Sequence, residues 1–220
     1  MYPSNVHPIP LFIAVEQDGD GYPHTDIRAG LTTLPSALSV GATWDVNNAY
    51  IVGSIVGSEL AALGVNLLLG PSADVLQRIR PATPGDIGVR SFGGDPYWVG
   101  EMGQAYIRGV HEGSGGMVLA VAKHFPGLGS SDRKATEEVA TVHKSLQELR
   151  HMELAPFIAL TTPEVEDSAG VADGMMTTPL IRYRGFQGNI RQLTRPIGLD
   201  TDGLSALMAL PEFQSWREDG

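Results

Sequence analysis

The sequence predicts an α/β fold built on a parallel sheet, and three observations lead to this class. Short apolar segments, typical of strands buried on both faces, alternate along the chain with longer segments of helical spacing. Polar side chains cluster directly after each predicted strand. No internal repeat of about 20–50 residues is present. The alternation implies right-handed crossovers, and polar groups after every strand favour a barrel over an open doubly wound sheet, which would gather them at one switch point.

The first half of the chain supplies two predicted strands and two helices. Residues 11–15 predict a buried strand that ends in an acidic, glycine-rich turn. Asp45 is expected to cap a helix that Gly64 ends, and residues 65–69 predict the next strand. A long polar loop, residues 71–95, follows, and Asp95 and Pro96 then open the second helix.

The second half continues the alternation. Residues 118–122 predict a buried strand that ends at Lys123 and His124. Ser145 and Glu148 have the spacing of a capping box and predict a helix that runs toward residue 157. A fourth strand is predicted over residues 170–176, and a last helix over 201–210.

Composition limits the possible partners. With 15 Lys and Arg against 25 Asp and Glu, the formal net charge is -10, which argues against nucleic acid and against an anionic membrane surface. The absence of cysteine excludes disulfides and thiolate metal sites. No apolar run approaches about 18 residues, and no signal-peptide pattern occurs at the amino terminus. We expect one soluble domain over residues 1–220, with its cellular compartment unassigned.

Several chemistries lack their motifs. The sequence has no phosphate-binding Gly-Lys-Ser/Thr loop, and Gly127-Leu128-Gly129 lacks the third glycine of a dinucleotide fingerprint. No Gly-x-Ser-x-Gly nucleophile elbow occurs. The six histidines show no metal-binding spacing. We therefore expect neither a cofactor nor a metal.

A rim of charged side chains is predicted where the strands end. Its members are Glu16, Asp18, Arg28, Asp74, Arg90, Lys123 and His124. Each sugar hydroxyl both donates and accepts a hydrogen bond, so a desolvated sugar needs cationic donors and carboxylates together. The rim residues favour a polyhydroxylated ligand.

Ordered motifs along residues 11 to 180 resemble glycoside hydrolase family three, the family of β-N-acetylhexosaminidases and β-glucosidases. The matching segments include Ile13-Ala14-Val15-Glu16-Gln17, Gly41-Ala42-Thr43-Trp44-Asp45, Arg90-Ser91-Phe92-Gly93-Gly94-Asp95-Pro96, Lys123-His124-Phe125-Pro126-Gly127 and Ser145-Leu146-Gln147-Glu148-Leu149-Arg150. The resemblance implies a TIM-type (β/α) barrel, of which this chain holds about four β/α units, and retaining hydrolysis of β-linked saccharides through an Asp nucleophile.

The resemblance also assigns roles by position. Lys123, His124 and Arg90 look like the residues that hold the sugar's hydroxyls, and Arg28 looks like a further contact at the rim. The family usually has Asp where this chain has Glu16, and the acidic order is reversed at Asp18.

Two parts of the family's catalytic site are not matched. The first is the nucleophile, which is expected after Gly220. The amino terminus resembles the second barrel strand, so the chain corresponds to about half a barrel. A half barrel has two exposed strand edges and is expected to be unstable alone. We therefore expect these residues to belong to a longer chain or to pack against a complementary polypeptide.

The general acid/base is the second unmatched part. Where the hexosaminidase branch carries Asp-Ser-His, this chain aligns Lys134-Ala135-Thr136. Asp132, Glu137 and Glu138 are the nearby candidates, provided that their loop folds inward, and a second domain could equally supply the acid. Two alternatives stay open: a catalytically inactive carbohydrate-binding barrel, and a barrel that serves as a scaffold for partners.

Overall fold

A computed structural model of the chain describes residues 11–19, 21, 24–77, 87–133, 139–163, 168–178, 180–187 and 194–219. The strands are β1 (Ala14–Val15), β2 (Leu67–Leu68), β3 (Leu119–Phe125), β4 (Ala140–Val142), β5 (Gly174–Thr177) and β6 (Ile181–Tyr183). The helices are α1 (Ala37–Gly41), α2 (Val46–Ala62), α3 (Pro96–Ser114), α4 (Leu146–His151), α5 (Leu154–Leu160), α6 (Thr201–Met208) and α7 (Gln214–Asp219). Apart from β4, which follows β3 directly, strands and helices alternate through β5, as the sequence predicts.

Four parallel strands form the main sheet in the order β1-β2-β3-β5. Each strand pairs with the next one of the sheet along the chain, and helices connect them, which is the arrangement of consecutive β/α units in a barrel. The predicted α/β class and the partial barrel of about four units are confirmed. A separate parallel pair, β4 and β6, was not predicted.

The two faces of β3 are buried differently. Ala120 and Ala122 are fully buried, whereas Leu119 and Val121 on the opposite face are only partly covered by the described residues. Lys123 continues the second face and is itself fully buried. The first face packs on helices and the second is the face that would line the interior of a barrel.

Helices α2 and α3 pack together closely enough to exclude side chains from their contact. A Cβ at Gly53 would lie 2.1 Å from the carbonyl oxygen of Tyr106, and one at Gly109 would lie 2.2 Å from that of Tyr50. Glycine at both positions therefore lets the two backbones meet. Asp45 and Asp95 cap the two helices through side-chain bonds to Asn47 N and Trp98 N, as predicted.

The first predicted strand is shorter and more exposed than expected. Residues 11–15 were predicted as a buried strand, but β1 spans only Ala14–Val15, and Leu11, Phe12 and Ile13 are 81%, 70% and 52% exposed. The reason is position: β1 is the edge strand of the described sheet, so one of its sides has no neighbouring strand there.

The helix predicted from Ser145 toward residue 157 is divided in two. The capping box at Ser145 and Glu148 forms, but α4 ends at His151 and α5 begins at Leu154. Pro156 lies four residues after Met152. In a continuous helix its ring would clash with the Met152 carbonyl, and proline has no N–H to donate to that carbonyl. The chain breaks its helix at Met152 for that reason. Among the described residues, none of the helices has the length and apolarity that crossing a membrane requires.

Candidate functional site

Lys123 lies at the carboxyl end of β3, inside a cluster of acidic side chains. The strand runs past its predicted end at residue 122 because Lys123 keeps pairing with the loop after β2, donating to the Pro71 carbonyl at 3.0 Å. Its Nζ lies 3.0 Å from Asp18 Oδ2 and 3.2 Å from Glu16 Oε1. Neither contact has the angles of a hydrogen bond, so the buried ammonium is neutralised by charge without having its donors matched.

Arg90 approaches the same carboxylate from a neighbouring loop. Its Nη1 lies 3.5 Å from Asp18 Oδ2, and both side chains are almost completely buried. The loop is held in place by the Ser91 hydroxyl, which donates to the Asp74 carbonyl at 2.7 Å. Asp18 therefore lies between two cations that come from different parts of the chain, as the prediction of a common rim requires.

His124 is oriented by Asp74 rather than by a residue of the exposed rim. Its Nδ1 lies 2.8 Å from Asp74 Oδ2, and the fully buried Asp74 also accepts from Ser72 Oγ at 2.9 Å and from Leu128 N at 2.8 Å. Burial alone would raise the pKa of Asp74, but the charge and hydrogen bond of His124, with the Leu128 and Ser72 bonds, lower it. Since Asp74 is ionised and engages Nδ1, Nε2 is the ring nitrogen available to a ligand.

The glycines of the loop after β3 allow it to pack directly on its neighbours. Gly127 has a φ of +110°, and a Cβ there would lie 2.7 Å from Glu153 Cβ. A Cβ at Gly129 would lie 1.6 Å from the carbonyl oxygen of Val75. The loop is thus pressed between the loop after β2 and the start of α5, and this packing presents Lys123 and His124.

A second buried ion pair lies behind this loop. Glu153 is fully buried, and its Oε1 accepts from Lys144 Nζ at 2.6 Å and from the Ser130 hydroxyl. Lys144 also donates to Gln77 Oε1 at 2.7 Å. The Glu153 Oε2 atom has no hydrogen-bond partner among the described residues. Glu153 therefore ties the loop to α5, while Lys144 extends the tie to the loop after β2.

Asp132 is held as a carboxylate. Its Oδ1 accepts from Thr141 N at 2.7 Å, and its Oδ2 lies 3.2 Å from Arg133 Nη2. Burial, the largest single cause, raises the pKa of Asp132, but these two contacts and the charge of His143 together lower it. A lowered pKa makes Asp132 a poorer proton donor near neutral pH, and its role as acid/base stays a prediction. Glu137 and Glu138 lie outside the described residues.

A cavity of about 280 Å³ lies beside the cluster. Asp18, Arg28 and Arg90 form part of its polar lining, and its apolar walls include Phe92 and Tyr106. Arg28 is exposed at this rim, and its contact with a sugar stays a prediction. Neither Lys123 nor His124 is among the described residues that line the cavity. The cavity therefore adjoins the predicted sugar site and is not identical with it.

Sequence reasoning placed the rim residues at one edge but did not identify their support. Asp74 was expected on the rim and is instead buried beneath His124. Glu153, Lys144 and Ser72 were not singled out. An acidic residue directly before an apolar helix, as in Glu153-Leu154-Ala155-Pro156-Phe157, is the signal that could have indicated a buried carboxylate. No group of three or more His, Asp or Glu side chains that could hold a metal occurs among the described residues.

Comparison with known proteins gives a consistent result. Residues 2–172 match the model of the glycosyl hydrolase family 3 N-terminal domain. A β-hexosaminidase of Hydrogenovibrio crunogenus is 34% identical over 159 residues, which are 68% of this chain and 41% of that protein. The chain thus spans less than half the length of this curated relative.

Solved structures agree with the sequence match. A family 3 β-N-acetylglucosaminidase from Paenibacillus sp. superposes with a TM-score of 0.68 and 34% identity, over 80% of this chain and 31% of that one. NagZ from Neisseria gonorrhoeae, solved with N-trifluoroacetyl-D-glucosamine, superposes with a TM-score of 0.68 and 26% identity, over 86% of this chain and 51% of that one.

Proposed function

Because the chain belongs to glycosyl hydrolase family 3, we propose that it supplies the sugar-binding half of a site that hydrolyses β-linked glycosides with retention. The names of the relatives and the N-acylated glucosamine bound by one of them support β-N-acetylhexosaminides as the substrate class. The proposal places the nucleophile after Gly220, in line with the part of its relatives that the chain does not span.

The observation that carries the proposal is the cluster at the end of β3. Glu16 and His124 are its partly exposed members, with side chains 27% and 14% exposed, and Lys123 and Arg90 lie immediately behind them. A sugar hydroxyl can donate to Glu16 while a neighbouring hydroxyl exchanges a hydrogen bond with His124 Nε2. Lys123, whose Nζ has no hydrogen-bond partner among the described residues, adds a positive charge directly behind Glu16.

The cations also fix the carboxylates before the sugar arrives. Lys123 contacts both Glu16 and Asp18, and Arg90 also contacts Asp18, so that two cations balance two carboxylates. Without these cations the two carboxylates would repel each other and turn toward water. Preorganised acceptors of this kind lower the free energy required to order the site on binding.

The direct test is turnover and sugar binding together. Hydrolysis of 4-nitrophenyl N-acetyl-β-D-glucosaminide and 4-nitrophenyl β-D-glucoside is measured with the complete protein, and N-acetylglucosamine binding is measured by calorimetry. We expect Lys123→Ala to lower kcat/KM about 10- to 100-fold, the scale of a lost charged hydrogen bond. Arg217→Ala removes one positive charge from an exposed position on α7 and serves as the control. A change below about threefold for Lys123→Ala would contradict the role of Lys123.

One observation favours a second function. Asp132, the described candidate for the acid, is committed to Thr141 and Arg133 as a carboxylate. A barrel that kept its sugar site without a proton donor would bind saccharides and leave them intact. Binding of N-acetylglucosamine that Lys123→Ala weakens, with no turnover of either chromogenic glycoside, would support this catalytically inactive carbohydrate-binding module.

A further inference from the structure

Two tryptophans form an exposed aromatic surface that the proposed sugar site does not use. Trp44 is 69% exposed, and its ring lies 5.2 Å from that of Trp98, centroid to centroid, with an angle of 32° between the planes. Trp98 is half-buried and donates from Nε1 to the Gly41 carbonyl at 3.3 Å. We call this pair the aromatic platform. Trp98 is thus fixed in the fold, and Trp44 rests against it with most of its surface open.

The backbone of Trp44 adopts a strained conformation. Trp44 has a φ of +54°, the one positive φ among the described residues that are not glycine. Glycine is the residue that adopts this conformation without strain, and a bulky residue there is unusual. A tryptophan that is both strained and exposed gains little from the core, so its ring is better explained by a contact outside the chain.

The platform lies at the same end of the fold as the sugar site. Trp44 directly precedes the Asp45 cap of α2, and Trp98 lies in the first turn of α3. In a β/α unit the helix runs back along the strand, so helix amino termini lie at the end where the strands' carboxyl termini lie.

The platform is also away from the edges of the sheet. Helices α2 and α3 flank β2, which has β1 on one side and β3 on the other. The exposed apolar residues Leu11, Phe12 and Ile13, by contrast, adjoin the edge strand β1. Exposure at the sheet edge is explained by the lack of a described strand beside β1, and exposure of the platform is not.

One loop joins the platform to the sugar site. A Cβ at Gly41 would lie 1.7 Å from the carbonyl oxygen of Phe92, so the turn that carries Trp44 rests on the loop that carries Arg90. Arg90 lies on the inner side of this loop against Asp18, and Trp98 lies a few residues further along the chain. A ligand longer than one sugar ring can therefore extend from the cluster across the loop to the platform.

The chemistry around the platform suits a neutral sugar. The face of an aromatic ring carries partial negative charge and attracts the polarised C–H bonds on the flat face of a β-linked pyranose. Asp45, Asn47 and Asp95 are exposed nearby and can bond the hydroxyls at the edge of the ring. The formal net charge of -10 disfavours an anionic ligand.

We propose that the aromatic platform binds a further ring of a neutral, β-linked oligosaccharide whose terminal ring occupies the cluster around Lys123. This inference rests on the proposed function for the position of the terminal ring. The stacking contact itself is independent of hydrolysis and of the acid/base.

The test compares a long and a short sugar. Calorimetric titrations of the protein use tetra-N-acetylchitotetraose and N-acetylglucosamine, with Trp44→Gly, Trp44→Phe and Leu63→Ala as variants. Trp44→Gly removes the ring and relieves the backbone, so the variant is expected to fold. Leu63, 57% exposed at the other end of α2, is the matched control.

We expect Trp44→Gly to weaken tetrasaccharide binding about fivefold, the size of one aromatic contact, and to leave N-acetylglucosamine binding unchanged. Trp44→Phe should keep most of the affinity, and Leu63→Ala all of it. Equal tetrasaccharide affinity in Trp44→Gly and the unmodified protein, or no tetrasaccharide binding by the latter, overturns the inference. Tetrasaccharide binding that depends on Trp44 but not on Lys123 supports the platform and counts against the proposed function.

Discussion

The two ends of β3 carry charged groups that are paired in different ways. At the amino end, His111 Nε2 lies 2.9 Å from Asp173 Oδ2 and Nδ1 lies 2.7 Å from the Ala169 carbonyl, while Asp173 also accepts from Ala120 N at 2.7 Å. At the carboxyl end, Lys123 Nζ has two carboxylates within ion-pair distance and no aligned hydrogen bond to any described residue.

This difference separates a contact that stabilises the fold from one that is ready for a ligand. Both ring nitrogens of His111 face acceptors, so its protonated form satisfies the whole group at the amino end. The Nζ donors of Lys123, by contrast, have no hydrogen-bond partner among the described residues. In β/α barrels the carboxyl ends of the strands carry the active site and the amino ends contribute stability, and the two ends of β3 follow this division.

The largest effect on stability is expected at Glu153. It is an exception to this division, because its ion pair is structural although it lies at the carboxyl end of β3. Glu153→Ala leaves the Lys144 ammonium without its carboxylate and frees the Ser130 hydroxyl. We expect the free energy of unfolding to fall by about 3–5 kcal/mol, the cost of breaking a buried ion pair, as measured by urea unfolding.

The control for Glu153→Ala makes the same substitution at an exposed glutamate. Glu148→Ala removes half of the capping box of α4 and should cost clearly less than Glu153→Ala. If Glu153→Ala costs no more than Glu148→Ala, the buried pair does not anchor the loop. A double-mutant cycle with Lys144→Met isolates the coupling between the two charged groups.

An intermediate effect is expected at Asp74, which serves both stability and the site. Asp74→Asn should cost about 2–3 kcal/mol of stability at neutral pH, because Asn cannot replace the charge that His124 Nδ1 faces. Its amide N–H would also favour the other tautomer of His124, so sugar binding should weaken.

The acid dependence of stability reports the same carboxylate. The pKa of Asp74 is lowered by folding, so its stabilisation is present above the unfolded pKa of about 3.9 and is lost as the pH falls through the folded pKa. The stability difference between the unmodified protein and Asp74→Asn should therefore shrink below about pH 4. A difference that stays constant down to that range would show that the charge of Asp74 is unimportant.

The smallest effect is expected at the amino end of β3 and has the opposite pH dependence. Burial lowers the pKa of His111, but Asp173 and the Ala169 carbonyl raise it more, so the net shift is upward. Its stabilisation, about 0.5–1 kcal/mol, is complete below the unfolded pKa of about 6.5 and is lost as the pH rises through the folded pKa.

The stability difference between the unmodified protein and His111→Gln should decline as the pH rises from the unfolded pKa of His111 through its folded pKa. Sugar binding should be unchanged. His151→Gln, which makes the same change at an exposed histidine on α4, is measured alongside as the control. A fall in sugar affinity for His111→Gln would contradict the division between the two ends of β3.

Part of the fold and site could be predicted because the signals are local. The caps at Asp45, Asp95 and Ser145 depend on a side chain and a backbone N–H two or three residues away, and all three form as expected. The break at Met152 was not predicted, because the capping box and the apolar spacing both favour one continuous helix, whereas Pro156 disrupts such a helix at the carbonyl four residues earlier.

The partners of the site residues could not be predicted in the same way. His124 and Asp74 are 50 residues apart, and Ser130 and Glu153 are 23 apart. Whether such residues meet depends on strand register and on how closely the loops approach, which a single sequence does not specify.

The sequence by itself determined that Lys123 and His124 lie at the carboxyl end of a buried strand, because an apolar run followed by charged residues has one stable placement in a parallel sheet. Its motifs indicated the family. Only the tertiary structure decided that Lys123 is shared by Glu16 and Asp18, that Asp74 supports His124 from below, and that Trp44 faces outward. These contacts depend on side chains that separate loops bring together, and packing rather than local preference sets their geometry.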